Sequence, residues 1–265
     1  MCLILVAHRA DPRYRLVVAA NRDEFFRRAT APADYWSDAP CVLAGRDLEK
    51  GGTWLGVAAD GRWAGVTNFR DGTSPEPGNR SRGQLVAGYL SGSARAQSYV
   101  TSINPAAHEY HGFNLLAGDS AGVHYLSNKE DGPLMLVPGV YGLSNHFLDS
   151  SWPKVERGRR VLREALAGNA EPDRLIETLL AALADRSIAD ERELPNTGIS
   201  SDWEKLLSAA FINAPGYGTR ASTVMLMDHE GEVHFRERSF GMDGELIEDR
   251  RYRFAIAQDP ITTAG

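Results

Sequence analysis

Six short apolar runs, set in pairs around tight turn signals, fill the first half of the chain and restrict its fold more than any other feature. Cys2 to Ala7 and Arg15 to Ala20 flank Asp11-Pro12. Thr53 to Ala59 and Arg62 to Asn68 flank Asp60-Gly61, and Phe113 to Ala117 and Val123 to Ser127 flank Ser120-Ala121-Gly122. Runs of this length around Asp, Pro and Gly read as antiparallel hairpins. Several are apolar at successive positions (LILVA, LVVAA, FNLLA), so both faces of the sheets they build need cover.

The cover is supplied by helical segments. Gln84 to Leu90 and Ala94 to Ile103 form one pair. Trp152, Val155, Leu162 and Leu166 fall on one face of a helix capped by Ser151, with Pro153 in its first turn. Leu175, Ile176, Leu179, Leu180 and Leu183 make a second stripe at helical spacing, and Ser201-Asp202-Trp203-Glu204 starts a further helix, Trp203 to Phe211. Strands return at Ser222 to Met227, Val233 to Arg238 and Arg253 to Ala257. This order predicts an α+β fold of two antiparallel sheets with helices on their outer faces, in one domain spanning 1–265.

Composition excludes several roles. A formal charge of -6 with 24% charged residues gives no broad cationic surface for nucleic acid. No run approaches the roughly 18 apolar residues of a membrane span, and Leu3 to Ala7 is too short for a signal-peptide core, so a cytoplasmic protein is expected. The two cysteines, Cys2 and Cys41, make neither a disulfide framework nor a zinc site.

Chemistry-bearing residues gather at hairpin ends. A turn centred between Asp11 and Pro12 places Cys2 opposite Asn21, which delivers Asn21-Arg22-Asp23-Glu24 beside the cysteine. The same reasoning about Asp60-Gly61 sets Asn68 opposite Thr53. Methionine before a residue as small as Cys is ordinarily removed, leaving a thiol and an α-amine on Cys2. An amine of pKa roughly 7.7–8.0 can take the thiol proton and return it to a leaving group. Asp23 is then placed to orient the amine and Asn68 to donate to an oxyanion. Taken singly, the cysteine is an ordinary strand residue and the tetrad an ordinary strand-ending turn; their coincidence at hairpin ends points to a site.

Cys2, the tetrad Asn21 to Glu24, Gly51-Gly52-Thr53-Trp54-Leu55-Gly56, Gly65-Val66-Thr67-Asn68-Phe69-Arg70 and Gly218-Thr219-Arg220-Ala221-Ser222-Thr223 together resemble the NRDE family along nearly the whole chain. That family is in turn similar to the cysteine hydrolases of the N-terminal nucleophile type that includes conjugated bile acid hydrolase and penicillin V acylase. The resemblance implies a four-layer αββα sandwich and a catalytic set of Cys2, Asp23, Asn68, Asn145 (in Gly142-Leu143-Ser144-Asn145-His146) and Arg220, with Asn21, Arg22, Glu24 and Arg70 binding substrate. One departure is plain: Ala20 stands where those hydrolases carry arginine, and the arginine here, Arg22, lies two residues later. The expected substrate is an acyl amide or an acyl-CoA-like thioester, with no cofactor required. The family's links to lipid metabolism and haem mobilisation imply the alternative of a haem or acyl-CoA carrier, with Cys2, His8, His111 or His146 as axial ligand and the loop Phe25-Phe26-Arg27-Arg28 with Arg70, Arg80 and Arg82 as cationic rims.

Overall fold

The first hairpin closes one residue away from its expected register. The computed structural model, which describes residues 2–72 and 80–257, pairs β1 (Cys2–His8) with β2 (Tyr14–Phe25) so that Cys2 faces Arg22. The ladder is centred on Pro12, half a residue beyond the expected centre, and the Asp11 carboxylate in the turn accepts the Arg13 N–H at 2.9 Å. A shift of one exchanges the faces of a strand. Arg22, not Asn21, therefore shares the face of Cys2.

Two seven-stranded antiparallel sheets follow. One runs in chain order through β3 (Thr30–Trp36), β4 (Ala39–Asp47), β5 (Leu55–Ala58), β6 (Trp63–Asn68), β7 (Phe113–Gly118), β8 (Val123–Ser127) and β9 (Leu134–Leu136). The other adds β10 (Gly139–Leu143), β11 (Asn213–Ala214), β12 (Tyr217–Asp228), β13 (Glu232–Phe240) and β14 (Leu246–Ala255), in the order β10-β1-β2-β12-β13-β14 with β11 on β12. Helices α1 (Gly83–Ser91) and α2 (Ala96–Ile103) cover the first sheet, packing Leu85, Leu90 and Val100 on Val42, Ala64 and Leu115. Helices α3 (Pro153–Ala167) and α4 (Pro172–Leu183) cover the second, packing Val155, Leu162 and Leu179 on Leu3, Leu5 and Val224. The inner faces bury Ile4, Val18, Leu43, Trp63, Met225 and Phe235 between the sheets. These are the four αββα layers, and the doubly apolar strands are those covered on both sides.

Three sequence expectations need correction. The helix begun at Ser201 is short, α5 (Ser201–Leu206), capped by Ser200, which accepts the Trp203 N–H at 3.4 Å. It stops before Phe211 because the Phe211 and Ile212 N–H groups bond the Asp185 carbonyl and the Thr219 hydroxyl instead. Thr53 does not pair with Asn68: the β5–β6 ladder ends at Leu55–Gly65, the Thr53 N–H turns to the Gly83 carbonyl at 3.2 Å, and Asn68 pairs with Phe113. The helix expected to start from Ser151 is capped one residue later, at Trp152, with Pro153 first in the helix.

Glu237 ties the two sheets together. Its carboxyl accepts the Ala33 N–H of β3 at 2.7 Å and the Thr223 hydroxyl of β12 at 3.0 Å. Burial pushes it from an ordinary 4.5 up to about 7. A folded-state value above the unfolded one contributes stability that is complete at low pH and lost as pH rises through about 7. Glu237→Gln keeps an acceptor for Ala33 and has no charge to bury. Relative to wild type it is expected to gain up to about 3 kcal/mol between pH 5 and pH 8, read from urea midpoints at the two pH values. A constant difference between the two proteins would remove Glu237 as the source.

Candidate active site

The N-terminal end of β1 opens into a cleft of about 410 Å³ between the sheets. Cys2, Arg22, Asp23, Glu24 and Asn68 all line it, so five of the expected site residues converge. Strand alternation explains how. Cys2 and Arg22 are cross-strand partners on the inner face. Asn68 ends β6 of the facing sheet, and the sheets approach so closely beneath it that a Cβ on Gly65 would lie 3.0 Å from the Ile4 side chain. A bare glycine on β6 therefore lets Asn68 come over Cys2.

Asn145 sits behind the cysteine, fully buried. Its side-chain oxygen accepts the Cys2 N–H at 3.4 Å, and its amide nitrogen donates to the Asn68 carbonyl at 2.9 Å. The orientation is locked from three sides. The Ser144 hydroxyl donates to the Cys2 carbonyl at 2.9 Å, the Thr67 hydroxyl donates to the Ser144 carbonyl at 2.6 Å, and the Arg70 N–H donates to the Asn145 carbonyl at 2.7 Å. Asn145 thus presents an acceptor to the Cys2 nitrogen, and its donors are engaged elsewhere. Asn68, by contrast, lines the cleft.

Asp23 lies two residues beyond Asn21 on the helix-facing side of β2. Its carboxylate accepts the Thr219 hydroxyl at 2.7 Å, and the Tyr217 hydroxyl donates to its carbonyl at 3.2 Å. Burial pushes the Asp23 carboxyl up, opposed by positive charge, Lys154 and Arg22 included, and by the Thr219 bond. The Cys2 thiol is also pushed up by burial, while Arg22 and the Asp23 backbone N–H pull it back. At rest the sulfur is a thiol that needs a base.

The other expected residues have different surroundings. Asn21 turns to the helices: its amide donates to the Leu183 and Ala210 carbonyls, both at 2.8 Å, and accepts from Ser222 at 2.6 Å. It buttresses the sheet and does not line the cleft. Arg220, displaced by a bulge in β12, donates to the Phe25 and Arg28 carbonyls at 3.1 and 3.0 Å and stacks on Phe26, so it holds the loop after β2. Arg70 pairs with Glu204 in a buried contact and stacks on Trp152. Arg22 lies over Trp54 with its guanidinium carbon 4.4 Å from the ring centroid and donates to Thr30 at 3.1 Å. Glu24 is held by Arg28 at 3.9 Å, which also pairs with Asp47 at 2.6 Å. Of the rim expected at Arg27, Arg28, Arg70, Arg80 and Arg82, Arg27 and Arg70 do not line the cleft.

One site residue was not foreseen. Lys154, in the first turn of α3, is 2% exposed, and its ammonium has no hydrogen-bond partner. Its sequence signal was slight: a lysine between Pro153 and the core residue Val155.

As a haem slot the cleft offers two of the four named ligands, Cys2 and His111. His8 lies at the far end of β1 and His146 stacks among Phe69, Phe147 and Trp152. Trp54 and Val66 are its large apolar walls among many charged groups, a poor fit for a porphyrin face. No group of three or more potential metal ligands occurs among the described residues, nor does any helix long and apolar enough to cross a membrane.

A family model described as Transport and Golgi organisation 2 matches residues 1–242. The Transport and Golgi organization protein 2 homologs of Bos taurus and Homo sapiens are 37% and 36% identical, over 97% of this chain and 99% of theirs. The Drosophila melanogaster Transport and Golgi organization protein 2 is 30% identical over 92% of this chain and 94% of its own. Among solved structures, the C2A mutant of the conjugated bile acid hydrolase from Clostridium perfringens superposes with a TM-score of 0.50 at 10% identity, over 98% of this chain and 100% of that one. That last likeness is one of fold, the N-terminal nucleophile hydrolase fold.

Proposed function

The chain belongs to the Transport and Golgi organisation 2 family, and from that premise we propose that it is a cytoplasmic acyl hydrolase whose nucleophile is Cys2 once Met1 has been removed. The observation that carries this reading is the convergence of Cys2, Asp23, Asn68 and Asn145 at one end of the cleft. A bond supports the role of Asn145, and position on the cleft beside Cys2 supports those of Asp23 and Asn68. Asn145 presents its oxygen to the nitrogen that becomes the α-amine, Asp23 supplies the negative charge that orients it, and Asn68 donates to the developing oxyanion.

The chemistry follows from those positions. The amine takes the thiol proton as the sulfur bonds the acyl carbon. The resulting oxyanion collapses, the bond to nitrogen or sulfur breaks, and the leaving group takes the proton from the ammonium. Water then attacks the acyl-cysteine, the carboxylic acid departs and the thiol is restored. Arg22, Lys50, Arg80 and Arg82 on the cleft favour a substrate with an anionic head group, such as an acyl thioester carrying phosphate.

Trapping tests the reading. Brief exposure to a panel of acyl thioesters and acyl amides, followed by intact-mass and peptide analysis, is expected to show a chain that starts at Cys2 and carries an acyl group there. A native chain that retains Met1, or label confined to Cys41, would overturn it. A second reading, a non-catalytic haem or acyl-CoA carrier, draws on Cys2 and His111 sharing the cleft. It predicts a Soret shift on haem addition that is lost in Cys2→Ala, with no turnover of the panel.

A further inference from the structure

Behind the cleft lies a second layer of charge that the proposed reaction does not use. Lys154 projects from the first turn of α3 into the protein, 2% exposed, with no hydrogen bond to its ammonium. A buried cation with no bonded partner is costly unless opposite charge lies near. The charged and titratable groups facing it come from four places: Asp23 on β2, Cys2 on β1, Arg70 after β6 and Glu204 on α5. Glu204 is committed to Arg70 and to the Thr197 N–H and hydroxyl, and Arg70 repels the ammonium. Asp23 is then the carboxylate that answers Lys154.

We infer that Lys154 is a positioning residue for the Cys2 site, a buried counter-charge that keeps the Asp23 carboxylate ionised behind the nucleophile. The inference rests on the reading of Cys2 as nucleophile. Asp23 is 1% exposed, and a carboxyl in that setting favours its neutral form. A neutral Asp23 cannot orient an ammonium, and its loss of charge would free the amine from the position that Asn145 shares with it. The ammonium of Lys154 opposes that protonation without touching substrate. Burial lowers Lys154 itself to about 8, with Asp23 holding it up, so it is mostly charged at neutral pH and loses that charge in the alkaline range.

The test reads Cys2 directly and needs no substrate. In a Cys41→Ser background, the rate of iodoacetamide alkylation at Cys2 is followed from pH 5 to pH 10 in wild type, Lys154→Met, Asp23→Asn and the double variant, alongside urea unfolding. Lys154→Met keeps an unbranched apolar chain and removes the charge, so it is expected to unfold at a urea concentration no lower than wild type. Its alkylation midpoint is expected to move by about one unit in the direction that Asp23→Asn moves it, downward, because the Asp23 charge raises the Cys2 thiol. Asp23→Asn is expected to change the profile, and Lys154→Met to add nothing further to it. An unchanged midpoint in a folded Lys154→Met protein, additive effects in the double variant, or a Lys154→Met chain that does not fold would each overturn the assignment. Failure of the acyl reading shows up separately, as retained Met1 or an absent acyl adduct.

Discussion

Replacing Cys2 by alanine is expected to lower kcat/KM for any acyl substrate the protein turns over by about 10³-fold or more, while Cys41→Ser leaves it unchanged. The two thiols are alike in composition and opposite in setting. Cys41 is exposed on β4 and does not line the cleft. Cys2 sits over Asn145 and Asp23 with the Arg22 guanidinium on the same strand face. Cys2→Ser tests the point more finely, since a hydroxyl in the same place has a weaker claim on an amine base. The base can also be switched without touching the cysteine. A chain fused to a removable leader has an amide nitrogen at Cys2, and amides accept no proton near neutrality. It is expected to be inactive until a protease exposes Cys2, and to gain its full activity on cleavage. Equal activity before and after cleavage would eliminate the α-amine as base and leave Cys2 as a conventional thiol.

The elements legible in sequence were those whose turns and periodicity agree. The hairpins about Asp11-Pro12, Asp60-Gly61 and Ser120-Ala121-Gly122 are all present, as are the leucine stripe of α4 and the paired α1 and α2. The pair β3 and β4 was not legible. Pro32 interrupts its pattern, and the ladder has irregularities between Ala31 and Asp34 and between Tyr35 and Trp36, so no clean alternation survives. The edge strand β10 hides for another reason: its apolar residues are spaced by Gly139 and Gly142, and it becomes a strand by pairing with β1.

The site divides along the same line. Cys2, Arg22 and Asp23 could be brought together by hairpin geometry, because one turn sets the register of both their strands. Asn68 comes from the other sheet, and its expected pairing with Thr53 does not form. The single-residue error mattered, since it exchanged Asn21 for Arg22 as the neighbour of Cys2. Asn145 and Lys154 could not be placed by hairpins. Asn145 follows a strand that has no turn signal linking it to β1, and Lys154 reaches the site from a helix on the far side of the sheet. Ala20, which the sequence resemblance sets against an arginine, lies on the inner face in the apolar core. Arg22, two residues on and on the same face, reaches the cleft instead.

The stability of this site hangs on Glu204, and Glu204→Ala is expected to cost about 3–5 kcal/mol. One carboxylate oxygen pairs with Arg70, and the other accepts the Thr197 N–H at 2.9 Å and the Thr197 hydroxyl at 2.5 Å. The two side chains of the pair are 7% and 4% exposed, so water cannot replace what alanine removes. The truncation leaves the Arg70 guanidinium buried over Trp152 with no carboxylate, and two Thr197 donors unpaired. Glu204→Gln keeps the acceptor for Thr197 and removes only the charge, so its loss is expected to be smaller. Urea unfolding monitored at constant slope separates the two variants. The effect should also reach the chemistry, because the backbone N–H of Arg70 holds the Asn145 carbonyl at 2.7 Å. A Glu204→Ala protein that loses under about 1 kcal/mol, or that alkylates Cys2 with the wild-type pH profile, would show that Arg70 finds other partners and that Asn145 is held without it.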